Sequence, residues 1–166
     1  DQFNSPQGIA VDDTYVYITD MYNHRIVKRY AGNLTYVNKI GSFGSGNDQF
    51  NSPQGIAVDD TYVYITDMYN HRIVKRYAGN LTYVNKIGSF GSGNDQFNSP
   101  QGIAVDDTYV YITDMYNHRI VKRYAGNLTY VNKIGSFGSG NDQFNSPQGI
   151  AVDDTYVYIT DMYNHR

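Results

Sequence analysis

Residues 1–47 read DQFNSPQGIAVDDTYVYITDMYNHRIVKRYAGNLTYVNKIGSFGSGN, and the same letters return at 48–94 and at 95–141. A fourth copy opens at Asp142 and runs to Arg166, part-way through the unit. No substitution separates the copies. Self-similarity at such a period marks a repeat architecture, and it governs how every other property of the chain is read. Drift separates old repeats, so identity between copies implies recent duplication or deliberate construction.

Four short runs in each unit favour strands: Gly8–Asp12, Tyr15–Asp20, Arg25–Tyr30 and Thr35–Ile40. They alternate, or are rich in β-branched and aromatic residues. Turn chemistry separates them: Asp12-Asp13-Thr14, then Asp20 to His24, then Ala31-Gly32-Asn33. A longer Gly/Ser/Asn stretch from Gly41, with Pro53 near its end, leads into the next unit. Nothing carries a helical period. The expectation is an all-β chain, a β-propeller with one four-stranded antiparallel blade, strands a to d, for each 47-residue repeat. Residues 1–47, 48–94 and 95–141 are then whole blades, and 142–166 is a half blade with strands a and b only. A β-solenoid is the rival, but its coils are usually shorter and less evenly joined by hairpins.

The run Ile9-Ala10-Val11 suits an innermost strand, and Tyr15 to Ile18 suit a sheet packed on both faces. Lys28, Arg29 and Lys39 are expected on the outer rim, facing water.

Charge within the unit cancels: Arg25, Lys28, Arg29 and Lys39 balance Asp1, Asp12, Asp13 and Asp20. The net −3 arises in the last fragment, which holds four aspartates and one arginine. Nothing here favours a nucleic-acid partner. With no cysteine, disulfides and thiolate metal sites are excluded. No apolar run approaches the ~18 residues of a membrane span, and no signal peptide is visible, so no membrane role is expected. An opening at Asp1 rather than Met is read as a processed chain, a fragment or a window of a longer array.

The stretches Phe3-Asn4-Ser5-Pro6-Gln7-Gly8-Ile9-Ala10-Val11-Asp12, Tyr17-Ile18-Thr19-Asp20 and Asn23-His24-Arg25-Ile26-Val27-Lys28 resemble the NHL repeat. Asn-His-Arg stands where that family's name has Asn-His-Leu. The resemblance covers the whole unit and recurs in each copy. It implies a propeller, usually of six blades. The family includes RNA- and protein-binding domains, sensor domains of bacterial kinases, and a lyase subgroup with a metal in the channel. One fold serves them all, so the resemblance selects no function.

Candidate chemistry is thin. His24, with His71, His118 and His165, would hold a metal only if several blades converged on one ion. Asp20, Asn23 and Arg25 read as hydrogen-bonding the turn and tying blades together, so no metal or other cofactor is expected. Gly41 to Gly46 resembles a phosphate loop, but strand-like sequence follows where a helix is needed. Ser5, Ser42 and Ser45 lack a nucleophile-elbow context, Glu is absent, and Asp12 and Asp13 suit a tight turn. Identical blades offer only rings of one residue type, whereas active sites need different groups in different roles. The expectation is therefore no enzyme. Asn33-Leu34-Thr35 is a glycosylation sequon, repeated at Asn80 and Asn127.

Tyrosine is the outlier, with 18 residues and no Trp. Most are expected between blades. Strand alternation puts the b–c turn and the d-to-a loop at one end of the blade. Phe3, Asn4, Gln7, Met21, Tyr22 and His24, with Tyr69, His71, Tyr116 and His118 in later copies, are the candidate binding face, and packing between blades is the alternative reading of these residues and the favoured one. Protein, glycan or RNA are the ligands weighed for it. Three and a half blades leave apolar faces and the edge of the last strand open. Ring closure by self-association, or continuation in a longer array, is the leading expectation, with ligand binding on the b–c/d–a face as the alternative.

Overall fold

The computed structural model describes residues 2–166, and Asp1 lies outside them. Three four-stranded antiparallel sheets and one two-stranded sheet follow one another along the chain. The first blade holds β1 (Pro6–Val11), β2 (Tyr15–Asp20), β3 (Arg25–Tyr30) and β4 (Tyr36–Ile40). The second holds β5 (Pro53–Val58), β6 (Tyr62–Asp67), β7 (Arg72–Tyr77) and β8 (Tyr83–Ile87). The third holds β9 (Pro100–Val105), β10 (Tyr109–Asp114), β11 (Arg119–Tyr124) and β12 (Tyr130–Ile134). The last sheet holds β13 (Pro147–Val152) and β14 (Val157–Asp161). Strand order within each sheet follows the sequence, and the sheets do not close into a ring. No helix among the described residues is long and apolar enough to cross a membrane, which leaves strand-built crossings unaddressed.

Strand a starts at Pro6, two residues before the expected Gly8, and ends at Val11. Pro6 pairs with Asp20 and Ile9 with Ile18, with a bulge between them. There the Gly8 N–H donates to Thr19 Oγ1 at 2.7 Å, so a side chain replaces a ladder bond. Pro6 sits at the strand's first position, where a missing N–H costs least. A short 3-10 turn, Met21–Asn23, joins β2 to β3 and is absent from the sequence expectation.

The hydrophobic core lies between blades rather than inside one. Tyr17, Ile26 and Phe50 pack against Ile56, Val63, Ile65, Val74, Ala78 and Leu81. The same positions, one unit on, form the core between the second and third blades, from Tyr64 and Phe97 to Ile112 and Leu128. Alternation explains this: Tyr17 and Thr19 point forward to the next blade, while Val63 and Ile65 point back. The inner strands carry the closest backbone approach between blades, β1 on β5, β5 on β9 and β9 on β13. Each second strand also approaches the next inner strand, β2 on β5 for example.

The expected wet rim is corrected at two positions. Lys28 and Lys75 are buried, as are Arg76 and Arg123, and of the three rim residues only Lys39 is exposed. Lys28 Nζ donates to the Ala78 and Gly79 carbonyls of the next blade at 2.7 Å each, above the Tyr15 ring at 3.5 Å. A local polarity pattern carries no trace of an acceptor fifty residues away.

Candidate functional site

At one end of the blades, each b–c turn is built on a buried aspartate. Asp67 accepts the Asn51 N–H at 2.7 Å, Asn70 Nδ2 at 2.8 Å and Arg72 Nε at 2.7 Å. Burial raises its pKa, against the pull of those donors and of the Arg72 charge, and Asp114 behaves alike. Arg72 continues to the carbonyls of Ser45, Gly46 and Gln49. The turn is thus fastened to the loop arriving from the preceding blade. Asp20, Asn23 and Arg25 make the corresponding set, with Asn4 N–H as the backbone donor.

His24 follows the 3-10 turn in the left-handed region at φ 52°. Its Nδ1 accepts the Ser52 N–H at 3.1 Å, and its ring meets Phe43 edge-on at 5.1 Å. His71 and His118 repeat this with Ser99 and Ser146. Burial lowers the His71 pKa. Met21 is buried and receives Gln54 Nε2, the repeat of Gln7, on its sulfur at 2.7 Å. Phe50 and Phe97, the repeats of Phe3, are fully buried beneath Arg76 and Arg123. The Met21, His24, Gln54 and Phe50 positions thus take part in blade-to-blade contacts.

Tyr22, Tyr69 and Tyr116 do stand open at this end, each 55% exposed. Phe43, Phe90 and Phe137, missed in the sequence, stand open beside the histidines. An aromatic ring within a Gly/Ser loop, with no apolar neighbour to pack on, was the available signal.

The opposite end carries the a–b turns. Asp12 Oδ1 accepts the N–H groups of Thr14 and Tyr15, and Oδ2 accepts the Tyr17 hydroxyl at 2.8 Å. Burial pushes this carboxyl up, but the Tyr17 hydroxyl, the two backbone donors and the Lys28 charge leave its pKa lowered. Asp59, Asp60, Asp106 and Asp107 line a hollow of about 420 Å³ between the second and third blades. Along the inner strands, Gln7, Gln54, Gln101 and Gln148 line a shallow groove with the neighbouring glycines and isoleucines. Asn33, Asn80 and Asn127 are exposed in the c–d turns, each accepting from its own Thr two residues on. The Gly41 to Gly46 loop is held by glutamine instead: Gly46 N–H donates to Gln49 Oε1 at 3.0 Å.

No protein-family model matches the chain, and no curated protein does. Its fold is shared with solved propeller structures. A streptogramin B lyase matches with a TM-score of 0.71 at 15% identity, over 96% of this chain and 49% of that one. Catalytically inactive virginiamycin B lyase from Staphylococcus aureus with quinupristin matches at 0.67 and 15%, over 95% and 49%. An auxiliary nutrient binding protein from Bacteroides thetaiotaomicron VPI-5482 matches at 0.64 and 17%, over 92% and 44%. The chain spans about half the length of these structures. Identities this low show the fold alone. They place the chain in the class of repeated-blade, propeller-like proteins.

The expectation of no enzyme is corrected by the same finding. Lyases are among the structures that share this fold, so a series of similar blades gives no ground for excluding catalysis.

Proposed function

We propose that the chain is an NHL-like propeller scaffold whose property is blade-to-blade assembly. Its open faces are completed by identical blades, in other copies of the chain or in a longer array. One observation carries this reading. Positions buried in each internal seam are exposed where the described blades end: Ile56 and Ile103 are 6% exposed, and Ile9 is 70% exposed. Exposed apolar faces of this kind favour association. Association that stabilises the fold makes the unfolding temperature depend on protein concentration. A melting temperature that climbs between micromolar and hundreds of micromolar chain supports the proposal. One that stays constant across that range counts against it.

The exposed aromatics favour a second reading, a ligand-binding module. Tyr22, Tyr69 and Tyr116 with Phe43, Phe90 and Phe137 line the b–c/d–a end. Such rings suit stacking on sugar faces or on apolar side chains of a protein. A glycan array supports this if binding is lost on Tyr69→Ala and Tyr116→Ala together. Absence of binding at millimolar sugar argues for assembly alone.

A further inference from the structure

We infer that His24, His71 and His118 form a pH-sensitive latch between successive blades, closed while the imidazole is neutral and released when it takes up a proton. The latch lies on seams inside the chain. It therefore goes beyond the assembly reading and holds whether or not copies associate.

Each histidine sits in the b–c turn of one blade and reaches the residue that precedes strand a of the next. Nδ1 of His24, His71 and His118 accepts the N–H of Ser52, Ser99 and Ser146, at 3.1 Å each time. A ring nitrogen that accepts carries no proton, so Nε2 holds the single hydrogen of the neutral imidazole. Protonation puts an N–H on Nδ1 as well, and it faces the serine N–H, donor against donor. Ser52 and Ser99 are 3% exposed and Ser146 is 4% exposed, so the serine N–H that loses its acceptor has little water to turn to. Both ends of the bond also lie in the left-handed region, His71 at φ 52° and Ser99 at φ 56°, where a residue other than glycine is strained. Losing the bond leaves two strained residues without the contact that joins them.

The surroundings set the direction of the switch. The His71 ring is half-buried and meets Phe90 edge-on at 5.1 Å. Two carboxylates act on it, Asp114 from the next b–c turn and Asp67 from its own, and they are paired with Arg119 and Arg72. Burial outweighs both and lowers the His71 pKa from its ordinary 6.5. A folded pKa below the unfolded one gives stability that is complete above 6.5 and lost as pH falls towards the folded value. Asp67 and Asp114, raised by burial, work the other way and gain stability on acidification. Asp12 and Asp106, lowered, begin to lose theirs only near their ordinary 3.8. A loss of stability in mildly acid solution is thus the mark of the histidines.

Asparagine separates protonation from structure. Its Oδ1 takes the place of Nδ1, it tolerates the left-handed region, and it does not titrate. The melting temperature of the whole chain is measured at one concentration from about pH 7.5 to about pH 5. The parent is expected to lose about 5 °C or more over that range. His24→Asn, His71→Asn and His118→Asn together are expected to stay folded and to lose less than half as much. Should the triple variant fail to fold, His71→Asn alone is expected to remove about a third of the loss. Nitrogen NMR of the histidine rings is the second readout, expected to show Nδ1 bare at neutral pH and protonated in acid. A melting temperature that is flat or rises towards acid, a loss unchanged by the asparagine variants, or a proton on Nδ1 at neutral pH overturns the latch.

Discussion

The ammonium of Lys28 donates at 2.7 Å to the carbonyl of Ala78, across the seam between the first and second blades. A buried cation satisfied by backbone of the next repeat makes the first blade depend on the second. Lys75 stands in the same relation to Ala125 and Gly126.

Context therefore separates residues the sequence makes identical. Lys75→Met leaves two carbonyls short of a donor and is expected to cost about 1–3 kcal/mol. Lys122 is less buried, and its ammonium lies over Tyr109 at 3.7 Å with the ring as its partner. Lys122→Met is expected to cost under half as much. Urea unfolding of the two variants measures the difference.

The aspartate under each b–c turn is itself buried and gathers donors that are only partly so. Asp67→Ala removes the counter-charge of the buried Arg72 and the shared acceptor of Asn70 and the Asn51 N–H, with an expected loss of about 3–5 kcal/mol. Equilibrium denaturation reads it, and a loss below about 1 kcal/mol contradicts the described network.

Glycine substitutions divide by position. A Cβ on Gly55 meets the Gln101 carbonyl, whereas one on Gly79 meets open space. Gly55→Ala is expected to destabilise by about 1–3 kcal/mol. Gly79→Ala is expected to be neutral or stabilising by up to about 1 kcal/mol, through the unfolded chain.

Alkaline pH weakens the seams. Burial first, then the bond to an aspartate, raises the pKa of Tyr17 and Tyr64 well above 10, and that of Tyr111 to about 12. A raised folded pKa gives stability that is complete below the unfolded value of 10 and lost as pH climbs towards the folded one. Lys28 and Lys75, lowered by burial, work the other way up to their unfolded 10.5. Above about pH 10.5 only the tyrosines act, so stability falls with pH, and Tyr64→Phe flattens that slope. Melting temperatures from pH 9 to 12 test it.

The repeat, the all-β class and the bounds of Tyr15–Asp20 and Arg25–Tyr30 were legible because alternation and turn residues are local signals. The start of strand a was not, since Thr19 substitutes for a backbone partner at Gly8. The burial of Lys28 depends on a carbonyl in the next copy, beyond any local window. At the candidate face, Tyr22 stands open, which its place in a short turn does not by itself decide. For Met21 and the Phe3 position the sequence favours packing between blades, but which residues cover them is not legible, because an apolar residue in a turn gives no sign of its neighbours.

The central claim is that the seam inside the chain also joins copies of it. Light scattering after size exclusion measures the native mass of the 18.8 kDa chain directly. The account predicts a discrete multiple of that mass at tens of micromolar, lost on Ile9→Arg. A folded monomer at 18.8 kDa across the accessible concentration range would contradict it.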